Sequence, residues 1–295
     1  MKKDRPSLTA AGIAASRAVE SEKPAGERIC YDPYARLFVG RAFYAMTRFF
    51  VNTGFAEKRG PGTIGFILAR ERFIDDYLQS CLDDEMGQPQ LEQLVILGAG
   101  YDSRAYRCAE LKQRVKVFEV DHPATQQAKV EKLKEILGRL PEYVVFVPID
   151  FNTQALEQRL AESGYDERSK TVFIWQGVTE YLTSEAVDST LAFVARHSGP
   201  GSAIIFDYIY TSLLDGTVKH GEVTRMQRYR RMTGEGLTFG IPEGTVEEFL
   251  RQRGFDQVQD TPSQDLKKAY FTGINQGRAV AGEYAIVSAR VKREA

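Results

Sequence analysis

The sequence predicts an α/β fold built on a mostly parallel sheet, and three observations carry that expectation. From residue 91 onward, short β-rich runs alternate with helix-length stretches. One apolar run, Gln93–Leu97, leads directly into the glycine turn Gly98-Ala99-Gly100. An acid, Asp121, then stands at the end of the next run, about 20 positions after the turn, the spacing of a carboxylate that takes ribose hydroxyls.

The elements follow in order. Residues 7–90 read as helical, with Leu8–Val19, Arg36–Val51 and Thr63–Leu82 broken by the turn-prone segments Pro24–Pro33 and Asn52–Gly62. The strand runs are Gln93–Leu97, Val115–Val120, Val144–Pro148, Thr171–Trp175, Ala203–Tyr208, Phe255–Asp260 and Tyr284–Val291. Helix-length stretches at Ala124–Leu137, Thr153–Ser163 and Ser184–Ser198 separate the middle runs. Such alternation implies right-handed crossovers and a sheet covered on both faces. After Tyr208 comes an Arg-rich helical stretch, Val223–Thr233, and then Gly234–Gly244. A short helix over Thr245–Arg253 is expected to start on a Thr cap with Glu247 and Glu248 in its first turn, and to end at Gly254. The last two strands are expected to pair antiparallel at one side of the sheet. The chain thus divides into a helical cap (1–90), a core (91–208), an inserted lid (209–243) and the end of the sheet (244–295), within one domain.

Composition bounds the partners. Of 295 residues, 43% are hydrophobic and 27% charged, which excludes disorder, collagen-like repeats and a disulfide-stapled miniprotein. Lys and Arg number 39 against 40 Asp and Glu, so no global basic field exists to hold nucleic acid or a membrane. Apolar runs such as Tyr143–Val147 are strand-sized, far short of a membrane span. Three scattered cysteines, Cys30, Cys81 and Cys108, predict neither a disulfide framework nor a metal site. The N-terminus has basic residues but no long apolar run, and Asp4, Glu20 and Glu22 weigh against a leader. A cytoplasmic location with reduced thiols is the expectation.

The glycine turn implies a nucleoside-containing cofactor. Gly98 permits the tight turn and Gly100 lets backbone approach a ligand. The third small residue of a dinucleotide fingerprint is replaced by Ser103, after Tyr101-Asp102. An acid beside the turn suits a cationic amino-acid group better than a pyrophosphate.

Several collinear segments then resemble the leucine carboxyl methyltransferase family, including bacterial members related to polyketide O-methyltransferases. They are CYDPYARLFVG (30–40), ARERFIDDYL (69–78), LGAGYDSRAYR (97–107), FEVDHPATQQAK (118–129), VPIDF (147–151) and WQGVTEYLT (175–183). The resemblance implies a class I, Rossmann-like methyltransferase with a seven-stranded sheet whose last strand is antiparallel, and S-adenosyl-L-methionine as cofactor. By position, Gly98 and Gly100 would line that cofactor, Tyr101 would touch it, and Asp121 would take its ribose hydroxyls. Asp150 and Phe151 would flank the adenine, and Arg70 would hold the methionine carboxylate, with Arg17 near the same group. One departure stands out: Gln176 occupies a place where many relatives carry an acid. Gln176 would still hydrogen-bond the cofactor's amino end, and Glu180 is the candidate to replace the missing charge.

Plainer readings stand beside these. Arg70 and Arg72 lie next to Glu71, Asp75 and Asp76, as on a solvated salt-bridged helix face. Asp32 and Tyr34 form either a turn anchoring the first helices or a substrate contact. Asp102 and Arg104 suit a helix cap and a mutual pair. His122 reads as a strand-end residue and His197 as a helix-end residue, while His220 and Arg225, Arg228, Arg230 and Arg231 fall in the lid. The function expected is O-methylation of a carboxylate, or a hydroxyl, on a small-molecule acceptor such as a polyketide-like acid. A carboxylate is ionised at pH 7 and needs no general base, so no catalytic residue is assigned. No metal, nucleic-acid or membrane partner is expected, and the oligomeric state is left open. The alternatives are a nicotinamide-dependent oxidoreductase and an inactive nucleoside-binding module, the latter favoured only by Gln176.

Overall fold

The computed structural model describes residues 6–83, 90–151, 153–215 and 236–292. The expected helix Val223–Thr233, His220 and the four arginines from 225 to 231 lie outside the described residues, as does most of the segment 209–243.

Helix α1 (Leu8–Ser21) starts where the Ser7 hydroxyl accepts from the Ala10 N–H at 3.1 Å. The expected single helix over 36–51 is instead two, α2 (Ala35–Phe38) and α3 (Arg41–Asn52). Val39 and Gly40 both adopt extended backbone between them, so the first helix ends and a second begins. Inside the expected turn 52–62 lies a five-residue helix, α4 (Phe55–Arg59), and α5 (Thr63–Leu82) follows as expected. Gly65 of α5 admits no side chain, since a Cβ there would lie 2.0 Å from the Ala279 carbonyl oxygen. That close approach, with Ala281 N–H donating to the Gly62 carbonyl at 2.9 Å, seats α5 on the turn before the last strand.

The strands are β1 (Gln93–Leu97), β2 (Lys116–Asp121), β3 (Val144–Pro148), β4 (Thr171–Trp175), β5 (Ala203–Ile209), β6 (Phe255–Pro262) and β7 (Tyr284–Val291). They form one seven-stranded sheet in the order β3-β2-β1-β4-β5-β7-β6. Pairing among β1 to β5 is parallel, and β7 runs antiparallel to both neighbours, as expected. The chain proceeds outward from β1 to β3 and then returns to place β4 on β1's other edge. That reversal opens a crevice beyond the carboxyl ends of β1 and β4.

β1, β4 and β5 are buried along their whole length, which requires cover on both faces. Leu94, Ile96 and Ile174 pack with the apolar sides of α1, α2 and α5. Two short helices, α6 (Arg104–Arg107) and α7 (Leu111–Arg114), lie between β1 and β2. Val95, Leu97, Phe173 and Trp175 face the opposite layer, which includes α9 (Leu156–Glu162) and α10 (Ser184–Arg196). α9 starts three residues later than expected, and a helix over Ser263–Tyr270 fills a stretch the sequence left unassigned. The expected Thr245 cap is absent: its hydroxyl donates to the Pro242 carbonyl at 2.8 Å and makes no cap bond to the helix Val246–Arg251.

Behind β2, Glu119 is fully buried and pairs with Lys129 of α8 (Pro123–Leu137) at 2.8 Å, while the Tyr106 hydroxyl donates to it at 2.8 Å. Removing one partner leaves a buried charge uncompensated, at a cost of about 3–5 kcal/mol. Lys129→Met is therefore expected to lower the urea midpoint strongly. The double variant with Glu119→Gln, which keeps an acceptor for Tyr106, is expected to recover much of that loss.

Candidate functional site

The crevice at the switch point is a cavity of about 540 Å³. Arg70, Gly98, Gly100, Tyr101, Asp121, Asp150, Phe151 and Gln176 all line it, so residues from five sequence segments meet on one surface. Residues of α1, among them Ala10 and Ile13, close one side, and Val178, Tyr181 and Leu182 close another.

The glycine turn is pinned at both ends. Gly98 and Ala99 both donate to the Val120 carbonyl, at 2.8 and 3.0 Å. Gly98 (φ +67°) and Gly100 (φ +44°) lie in the left-handed region that favours glycine. A Cβ on Gly98 would stand 2.3 Å from Val178 Cγ2, so a side chain there would displace the loop after β4. Asp121 accepts from the Gly100 N–H at 2.5 Å and from the His122 N–H at 2.6 Å. Burial raises its carboxyl above the usual range, and those two N–H groups pull the other way. An ionised carboxylate has about four lone-pair sites, so acceptor capacity toward the cavity remains. The Tyr101 ring stacks on Phe38 with centroids 5.5 Å apart.

Glu71 of α5, fully buried, is the centre of a charge network beneath the cavity. It faces Arg17 at 3.2 Å, Arg104 at 3.2 Å and Arg107 at 3.0 Å. Arg17 also pairs with Asp32 at 3.3 Å, and Arg104 with Asp75 at 2.7 Å and with Asp102. Gln176 is built into this network. Its carbonyl accepts from Arg104 at 2.9 Å, and its amide donates to Glu71 at 3.0 Å. An amide fits between a guanidinium and a carboxylate; an acid there would place two carboxylates about 3 Å apart. Glu180, expected to replace the missing charge, is not among the residues lining the cavity; its backbone carbonyl accepts from Thr238 at 2.7 Å.

Arg70 and Arg72 separate cleanly. Arg72 pairs with Asp76 at 2.7 Å on an exposed face. Arg70 is buried, lines the cavity and pairs with Asp207 of β5, whose other oxygen accepts from the Gly177 N–H at 2.6 Å. Arg70 Nε is buried without an acceptor among the described residues. Asp207 was not anticipated, although a lone acid inside the apolar run AIIFDYI signals a buried cation nearby.

The plainer readings hold at several other positions. Asp32 accepts from Tyr34 N and Ala35 N, each at 3.0 Å, and from the Ser103 hydroxyl at 2.7 Å, which makes it a turn anchor. Asp102 accepts from the Arg104 N–H at 2.8 Å. His122 caps α8, its ring accepting from Ala124 N at 3.4 Å, and its side also borders the cavity. His197 sits at the end of α10, 2.8 Å from Glu167.

A family model described as leucine carboxyl methyltransferase matches residues 10–195. Among curated proteins, the chain is 34% identical over 181 residues to "Putative S-adenosyl-L-methionine-dependent methyltransferase YktD" of Bacillus subtilis, covering 61% of this chain and 59% of that protein. The chain thus spans less than two thirds of that relative's length. It is 28% identical over 268 residues to a Mycobacterium tuberculosis protein named in the same way, covering 84% of this chain and 82% of the other. Among solved structures, a "putative methyltransferase" of Thermobifida fusca superposes with a TM-score of 0.56 at 14% identity. That match covers 98% of this chain and 96% of the other, and it shows a shared fold.

The network has a pH signature. Burial alone would push the Glu71 carboxyl up, but Arg104, Arg17 and Arg107 outweigh it and hold it well below the ordinary range. A depressed carboxyl stabilises the fold above the unfolded pKa of about 4.3, and that contribution is lost as pH falls through the folded value. Glu71→Gln is therefore expected to cost about 3 kcal/mol or more at pH 7, read by chemical denaturation. The gap to the parent protein is expected to narrow below about pH 4. Asp75 and Asp121 are raised by burial and act in the opposite sense, so the difference between the two proteins is the quantity to follow.

Proposed function

The chain belongs to the leucine carboxyl methyltransferase family, and from that premise we propose that it is an S-adenosyl-L-methionine-dependent O-methyltransferase acting on a carboxylate of a small-molecule acid. The observation that carries the cofactor reading is the charge of the cavity wall. Asp102, Asp121 and Asp150 line it, while its two arginines are already met by other acids, Arg17 by Glu71 and Asp32 and Arg70 by Asp207. S-adenosyl-L-methionine bears a sulfonium, an ammonium and a carboxylate, so an acidic wall complements its net positive charge. A pyrophosphate-bearing dinucleotide would meet repulsion on the same wall.

The residues present fit that molecule one by one. Gly98 and Gly100 would let it approach the backbone closely, and Asp121 would accept from the ribose hydroxyls. Asp150 and Phe151 would flank the adenine. Arg70, which lines the cavity and is held by Asp207, would meet the methionine carboxylate. Gln176 acts indirectly, fixing Arg104 against Glu71 under the ligand.

The cofactor supplies a methyl group on a good leaving sulfur, for in-line displacement by the acceptor oxygen. The protein's task is to align the acceptor and to exclude water. A carboxylate acceptor arrives already ionised. That choice is supported by the family description, leucine carboxyl methyltransferase. Gly236 and Thr238 also line the cavity.

Calorimetric titration with S-adenosyl-L-methionine, its demethylated product and NAD tests the cofactor directly. Binding of the first two and not of NAD is the expected result, and binding of NAD alone would overturn the reading. Asp121→Ala is expected to weaken the sulfonium ligand by more than about tenfold while the protein stays folded. With a carboxylate acceptor, turnover is expected to change little between about pH 6 and pH 9. A rate climbing about tenfold per pH unit would instead indicate a phenol or hydroxyl acceptor that must lose its proton.

A further inference from the structure

Helix α3 packs Phe43, Tyr44 and Val51 toward the core and leaves further apolar side chains outside. Tyr44 is its one buried residue; the Tyr44 hydroxyl donates to Glu22, and Arg48 pairs with that carboxylate at 2.8 Å. Those two contacts tie the helix to the end of α1. On the other side, Met46 is 47% exposed and Phe49 63%, and Phe55 of α4 is 40% exposed. The rings form a ridge, Phe49 to Phe50 at 5.9 Å and Phe50 to Phe55 at 5.0 Å, with Met46 one helical turn before Phe49. A contiguous apolar surface of this kind marks an interaction site.

The surroundings of the ridge are basic. No acidic residue occurs between Asp32 and Glu57, while Arg36, Arg41 and Arg48 fall in that stretch and Lys58 and Arg59 follow it. The Arg59 guanidinium sits 4.7 Å over the Phe55 ring. Arg41, Lys58 and Arg59 form no ion pair among the described residues, and Glu57 turns inward to accept from the Gly62 N–H at 2.8 Å. The whole chain is near neutral, so this face is a local exception.

Two occupants would cover an apolar ridge, and size and charge distinguish them. With roughly 150–250 Å² per large side chain and Met46, Phe49 and Phe55 47%, 63% and 40% exposed, the ridge offers on the order of 300 Å². A stable dimer needs about 800 Å² from each partner. A second copy in a two-fold contact would also set the same cations against themselves. An anionic bilayer takes both features at once, with the rings at headgroup depth and the cations on the lipid phosphates. We propose that α3 and α4 form a peripheral docking face for an anionic membrane surface. No helix among the described residues is long and apolar enough to cross a membrane, so the contact is interfacial. The expectation of no membrane partner rested on whole-chain charge, which averages this patch away.

The face shares no residue with the cavity, so its test stands apart from the methyltransferase reading. The full chain is sedimented with vesicles of phosphatidylcholine alone, and with vesicles that also contain phosphatidylglycerol. Binding to the second and not the first, weakened by salt, is the expected result. Phe49→Asp is expected to abolish it, and Arg41→Gln and Lys58→Gln to weaken it by about fivefold each. All three positions are exposed, and unchanged thermal melting would certify the fold of each variant. Absence of binding to the anionic vesicles overturns the proposal, as does equal binding to both kinds. A dimer by light scattering that Phe49→Asp dissociates would assign the ridge to a second copy and overturn it as well.

Discussion

Glu71 is the constraint on which the site depends. A carboxylate with no solvent exposure is tolerated only when its charge is met and its lone pairs are filled. Three arginines and one amide do this, from three parts of the chain: Arg17 from α1, Arg104 and Arg107 from beyond the glycine turn, and Gln176 from the loop after β4. The network therefore ties the first helix, the glycine turn and the switch-point loop to one another. A second buried pair, Arg70 with Asp207, repeats the device between α5 and β5 and holds Gly177 as well.

The same arrangement gives Gln176 its reason. Read along the sequence, an amide in place of an acid looks like the loss of a ligand contact. In the fold it is the residue that joins Glu71 to Arg104 without adding another carboxylate to a cluster that already holds Asp75 and Asp102. Its two ends match a cation and an anion, and no other side chain of that size supplies both. A departure from a family pattern thus becomes a local adjustment of charge, and the inactive-module alternative loses its one support.

What the sequence made legible was local. The strand run into Gly98, the positive-φ turn and the acid closing the next strand are a contiguous strand–turn–helix grammar, and they resolve into the cavity floor as expected. All seven strands follow from periodicity and turn residues, and the antiparallel β7 from the family resemblance. The pairings were not legible, because Arg70 with Asp207 joins residues 137 apart and Gln176 with Glu71 joins residues 105 apart. Periodicity along one helix assigns a face but cannot say which arginine on it meets a buried strand. Arg70 and Arg72 differ by two positions, about 200° around α5, and only the sheet decides which of them is inside. The break between α2 and α3 was missed for a related reason. Val39 and Gly40 are tolerable helix residues in isolation, and the two adopt extended backbone here.

The charge of the cavity wall also bears on how the proposed reaction would turn over. The donor carries a sulfonium, and its demethylated product is a thioether of one less positive charge. A wall with excess carboxylate favours the first over the second without any change of shape. Asp121 contributes to that excess while held by two backbone N–H groups, so its position does not depend on the ligand. Asp102 is likewise fixed by Arg104, which the Glu71 network fixes in turn. The acidic excess is therefore rigid, and a rigid charge pays no reorganisation when the methyl leaves. Electrostatic preference for the donor then follows from the same buried pairs that hold the fold together at its switch point.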